Sequence, residues 1–188
     1  MGWKLSLLAR KAQPDDDFDR LAEALGFTPP ATETVTFDRG LYPSPGVAMA
    51  RWNEHLVVLS DELAGQLLNA PEQTNPGRRT LAALGPHRLL VAGLHSVTDF
   101  YGYALFEQGR LVRGRVGAAD DGVIWEQGPP FAWEDPRDDE FEGETAVFTF
   151  LTEVFGGLLD AADDNLFALE FQRYQAGLKS KLKRLFGL

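Results

Sequence analysis

A chain of 188 residues, 44% hydrophobic and 11% aromatic, can bury one sizeable core and is too apolar to be disordered throughout. Its formal net charge of −10 argues against general affinity for nucleic-acid backbone or anionic lipid, and the absence of cysteine excludes disulfides, thiolate metal sites and cysteine nucleophiles. Met1 to Arg10 holds too short an apolar run for a signal peptide, and no run approaches the ~20 residues of a membrane span, so a soluble, cytoplasmic protein is expected.

Trp3 to Ala9 reads as a first strand. Pro14 to Leu25 reads as a helix, because Phe18, Leu21, Ala22 and Leu25 fall at i, i+3, i+4 and i+7. Asp15, Asp16 and Asp17 sit in its first turn, where the helix dipole favours negative charge, and Gly26 supplies a left-handed cap. Pro29 and Pro30 break the chain before a strand over Glu33 to Phe37. Val47 to Arg51 and His55 to Ser60 form a hairpin around Trp52-Asn53-Glu54. Ser60 then caps a short helix over Asp61 to Leu68. Asn75-Pro76 resembles a cap followed by proline at the first helical position, opening another short helix that ends before Gly85-Pro86.

The centre of the chain is Arg88 to Gln127. Leu89 to Leu94 is an apolar run of the kind that makes a buried strand. Thr98 to Phe106, Leu111 to Val116 and Val123 to Glu126 follow across short turns containing Gly109 and Gly122. Together they predict a mostly antiparallel meander. Gly128 to Glu144 is the most polar stretch, with three prolines, seven acids and one Arg137, and Phe131, Trp133 and Phe141 are threaded through it. Such a segment in a compact domain reads as a lid or flap tethered by its aromatics. Thr145 to Leu159 is a second helix, with Val147, Leu151, Val154 and Leu158 along one side, and Leu166 to Phe171 is a last strand.

Leu178 to Leu188 differs from everything before it. It carries Lys179, Lys181, Lys183 and Arg184 and no acid, which leaves −14 on the preceding 177 residues. With Leu178, Leu182, Leu185 and Phe186 on one face, it forms a basic amphipathic tail that could dock on the acidic body, a partner or a membrane surface. The predicted architecture is a single α+β domain over 1–177 with this tail at 178–188. Its sheet is central and mainly antiparallel, and two principal helices, 14–25 and 145–159, are expected on one face.

Two constellations could carry chemistry. Strand alternation puts His95 and Asp99 on one face and Ser96 on the other, which works against a nucleophile–base pair. Ser96 also lacks the G-x-S-x-G elbow, so His95 is expected to be held by Asp99 or by backbone. Arg113 and Arg115 alternate onto one strand face and could fork a carboxylate or phosphate, or could simply pair with the protein's own carboxylates. His95, Asp99, Arg113 and Arg115 are therefore the candidate ligand-binding set, under the 128–143 flap. Trp133, Phe141, Lys181, Lys183 and Arg184 are the candidate partner or tail contacts. His55, His87 and His95 lack ligand spacing, and Glu134 to Glu144 lacks the order of a calcium loop, so no metal is expected. No dinucleotide or phosphate-loop motif occurs, and no cofactor is expected.

Over Leu94 to Glu134, a His95-Ser96 stretch leads into the aromatic strand Phe100 to Phe106. The Gly109-to-Arg113 hairpin, the Gly122-Val123-Ile124 segment and the Pro130-Phe131 loop follow. In this order the chain resembles the uncharacterised bacterial DUF6928 family. The resemblance implies a shared fold unit and adds no chemistry, and the basic tail is not part of the pattern. The function expected is a non-enzymatic protein-interaction or regulatory module. The alternatives are a small enzyme or small-anion-binding protein with a pocket near His95 and Arg113, and peripheral membrane association through the tail.

Overall fold

In β1, Lys4–Lys11, alternation sends Leu5, Leu7 and Ala9 to one side and Leu8 to the other, and all four are buried. Only a strand inside a sheet covered on both faces shows that pattern. The computed structural model describes residues 4–40, 46–69, 75–118, 120–134, 143–155 and 168–176. They contain one nine-stranded sheet in which every pairing is antiparallel. Its strands after β1 are β2 (Phe27–Thr36), β3 (Gly46–Trp52), β4 (His55–Leu59), β5 (Leu89–His95), β6 (Phe100–Glu107), β7 (Arg110–Ala118), β8 (Gly122–Gln127) and β9 (Glu170–Ala176). Their order across the sheet is β2-β9-β3-β4-β1-β5-β6-β7-β8.

The expected meander is present as β5 to β8, and the expected β3–β4 hairpin turns at Asn53, with φ 51. Strand outweighs helix, so the α+β expectation holds only in outline. Five helices accompany the sheet among the described residues: α1 (Phe18–Leu25), α2 (Phe37–Gly40), α3 (Asp61–Leu68), α4 (Asn75–Leu84) and α5 (Glu144–Phe155).

The two principal helices do not share a face. Leu21 and Ala22 of α1 pack with Leu63, Leu67 and Leu68 of α3 and Leu84 of α4 in the core that includes Leu8. Ala146, Val147, Phe150 and Leu151 of α5 belong to the opposite core, with Leu5, Leu7 and Tyr103. The reason is that β1 and β5 are apolar on both sides, and each side needs a helix to exclude water. An amphipathic stripe shows that a helix packs, and is silent about which side it packs on.

Other boundaries moved for local reasons. α1 starts at Phe18, because Asp17 takes an extended conformation and its carboxylate accepts the backbone N–H groups of Asp19 and Arg20. β2 runs through Pro29 and Pro30, with a register shift between Thr28 and Glu33. Proline lacks only the donor, and an edge strand tolerates that loss. Phe37, expected to end this strand, opens α2. The last strand lies at Glu170–Ala176, later than the expected Leu166 to Phe171, because Phe171 and Tyr174 are its buried anchors and lie on opposite faces. Residues 156–159 of the second helix and the whole 178–188 tail lie outside the described residues. No described helix is long and apolar enough to cross a membrane.

Candidate functional site

Gln108 and Gly109 both have positive φ, 52 and 74, as a two-residue hairpin turn demands, and they set the register of β6 on β7. Arg113 then lies opposite Leu105 and Arg115 opposite Tyr103, on the sheet face that α5 covers. β8 returns with Glu126 opposite Arg115. Next comes Gly128, with φ +83, where a Cβ would collide with the carbonyl oxygen of Val112. Only glycine lets the chain turn this close to β7. Residues 128–134 thereby fold back over the face as a strap.

Aromatic packing fixes the strap. The rings of Phe131 and Trp133 stack at 5.2 Å, Trp133 lies 5.7 Å from Tyr103, and Tyr103 stacks at 4.9 Å on Phe150 of α5. These separations fall in the favourable range for aromatic pairs. They place the Glu134 carboxylate beneath the strap, where its side chain and that of Arg113 are each 3% exposed. Arg113 Nε donates to both Glu134 oxygens at 3.1 Å, and Nη2 donates to Glu134 as well. Arg113 Nη1 donates to the Gly128 carbonyl at 3.0 Å, and Nη2 to Glu126 at 3.1 Å. The backbone N–H of Phe131 donates to Glu134 at 3.2 Å and closes the strap on its own carboxylate.

Burial disfavours the Arg113 cation, but the hydrogen bonds and charge of Glu134, with help from Glu126, outweigh it and hold the guanidinium pKa above its ordinary value. Burial first, then the charge of Glu134, push the Tyr103 hydroxyl up, so at neutral pH it is a neutral phenol and no base. The resulting cleft has a volume of about 280 Å³ and is lined by Arg113, Arg115, Glu126, Gln127, Gly128, Pro130 and Glu134. Two cations face two carboxylates across it. Chemically this is a closed clamp: both carboxylates are bonded to Arg113, and together they can hold the strap down.

His95 and Asp99 lie elsewhere. His95 faces Phe100 across the β5–β6 turn, and Phe100 faces Ala118, five residues along β6 from Leu105 and its partner Arg113. At ~3.3 Å per residue the two pairs stand roughly 17 Å apart along the sheet. The structure brings Arg113 and Arg115 together and leaves His95 and Asp99 at the other end. The histidine ring is held by Thr98, whose Oγ1 lies 2.9 Å from Nδ1, and not by Asp99, which sits at φ 47 and is exposed. Ser96 donates to Glu144, tying this turn to the start of α5. Trp133 is half-buried against Tyr103, and Phe141, Lys181, Lys183 and Arg184 lie outside the described residues. Sequence reasoning missed Glu134. Its signal was its place at the end of the Phe131–Trp133 aromatic pair, ahead of the rest of the acidic run.

A second, shallower cleft of about 400 Å³ lies on the opposite face, where α1 begins. Three of its four acids, all but Glu170, already have structural work: Asp16 is bound by Arg10, Asp17 caps α1, and Asp19, after burial, helps push the Tyr174 hydroxyl up.

No curated protein and no solved structure matches the chain. A family model matches residues 5–148, from β1 through β8 and the strap into α5, and stops short of β9. The fold unit expected from Leu94 to Glu134 is thus part of a longer shared region, and the chain belongs to DUF6928, a family of unknown function.

Proposed function

We propose that this chain is a protein-interaction module, with the β8 edge of the sheet as its contact surface and the Arg113–Glu134 clamp as the device that stiffens it. One observation carries the reading. Val97, Val123 and Ile124 are the large apolar side chains that stand exposed among the described residues, and two of them are neighbours on the edge strand β8, at 40% and 54% exposure. Proteins normally blunt a strand edge with proline, a bulge, lysine or inward charge. The other edge, β2, follows that practice with Pro29, Pro30 and its register shift. β8 shares one such device, a register shift on β7 that skips Ile124, but it has no proline and no lysine, and Val123 and Ile124 face water.

The small-anion reading is weaker on the same geometry. An anion entering the cleft would have to displace Glu126 from Arg113 and meet the charge of Glu134 behind it. The test is a double substitution, Val123→Lys with Ile124→Lys, in protein affinity-purified from its source cells. Because both side chains are already exposed, the thermal midpoint should stay within about 2 °C of the parent, while the co-purifying partner is lost. An unchanged partner set would overturn the reading.

A further inference from the structure

We infer that the outer edge of β8 takes up an extended peptide segment of alternating apolar and basic residues, which joins the sheet as an additional strand. This rests on the interaction reading and names its partner class. Strand addition draws affinity from main-chain hydrogen bonds and specificity from the side chains flanking the edge. Among the described residues the outer row of β8 N–H and C=O groups faces no strand, since β8 ends the sheet order.

The edge is held ready for a partner. Trp125 Nε1 donates to the Leu68 carbonyl at 2.6 Å, and its ring lies so close over Gly114 that a Cβ there would come within 2.5 Å of it. β8 is therefore pinned to β7 and to α3 before anything binds, which lowers the ordering cost of association.

The flanking side chains define the chemistry. β8 carries no basic residue; exposed Asp120 and Asp121 precede it, Val123 and Ile124 stand in its middle, and Glu126, with its side chain 53% exposed, lies near its end. A partner strand that matches this row sets apolar side chains against Val123 and Ile124 and basic ones against Asp121 and Glu126. On its inner side β8 already pairs with residues 114–118 of an arginine-rich strand. β7 reads Arg-Leu-Val-Arg-Gly-Arg-Val over residues 110–116, with Arg115 in register with Glu126 and Arg113 bonded to it. A second copy of this chain fits worse. Two β8 edges paired with each other would bring together acidic segments that lack any basic residue, on molecules with a net charge of −10 each.

The test uses the full chain and a fluorescent synthetic peptide copying residues 110–116, against a control peptide in which glutamate replaces the three arginines. The first peptide should bind saturably, the control at least about tenfold more weakly, and Ile124→Lys should weaken the first by about tenfold without moving the thermal midpoint. Amide hydrogen exchange should slow across 122–127 when the peptide is added. Equal binding of both peptides, or binding indifferent to Ile124→Lys, would overturn the inference. So would sedimentation as a dimer that Ile124→Lys dissociates while the peptide fails to bind, since the edge would then belong to a second copy. Should the peptide fail while Val123→Lys with Ile124→Lys still strips the cellular partner, strand addition falls and the interaction reading stands.

Discussion

Arg113 and Glu134 are 21 residues apart in the chain and nearly sealed from solvent, and each is the main reason the other can be charged there. Removing one member leaves a buried charge without its counter-ion, which costs about 3–5 kcal/mol, whereas replacing both with apolar groups of similar volume is often close to neutral. Arg113→Met and Glu134→Gln are each expected to lower stability by about that amount in urea unfolding. The double substitution Arg113→Met with Glu134→Leu should recover most of the loss. Additive losses would show that the two side chains are not coupled. Glu126 is half-exposed and should matter far less, about 1 kcal/mol at most, because water screens it.

At the scale of elements, the corner between β1 and α1 is held by Asp16. Its carboxylate accepts from Arg10 Nη1 at 3.0 Å and Nη2 at 2.5 Å, and from the backbone N–H of Gln13 at 2.7 Å, while its own carbonyl accepts from Arg51. Burial raises the Asp16 pKa, but the hydrogen bonds from Arg10 and Gln13 and the charges of Arg10 and Arg51 outweigh that and set it below its ordinary 3.8. A carboxylate with a depressed folded-state pKa contributes stability in full above its unfolded value and loses it as the pH falls through the folded one. Asp16→Asn should therefore destabilise the protein clearly at pH 7, and the gap to the parent should narrow as the pH falls below about 4. Urea midpoints across that range read it directly; a gap that stays constant with pH would sink the assignment.

For the molecule as a whole, β9 is the keystone. It sits between β2 and β3, supplies the only strand partner of β2 among the described residues, and inserts Phe171 into one core and Tyr174 into the other, both fully buried. Phe171 also meets Phe37 of α2, with ring centroids 6.0 Å apart. Since β9 lies beyond the region matched to the family, this part of the sheet is completed by residues outside that region. A chain ending at residue 168 should lose β2 from the sheet, along with two aromatic anchors worth about 3–5 kcal/mol each. The expected result is a broad, non-cooperative urea transition. A sharp transition of unchanged slope would mean that the remaining eight strands fold without it.

The sequence by itself determined what is local. The β3–β4 hairpin, the β5-to-β8 meander, Ser60 as the α3 cap and the shared face of Arg113 and Arg115 all follow from turn residues and period-two alternation within a few positions. Only the tertiary structure decided the rest. Both sheet faces are apolar, so the side each helix took was settled by which surface still needed cover, and α1 and α5 went to opposite ones. The partner of β2 lies some 140 residues downstream, where Gln172, Arg173 and Gln175 dilute the apolar signal of β9. Arg113 found Glu134 because the strap's aromatics brought that carboxylate into a buried site where a guanidinium needed a charge. The register of β6 on β7, in turn, left His95 and Asp99 at the far end of the sheet. Such partnerships minimise free energy over long sequence separations, and no short window of residues encodes them.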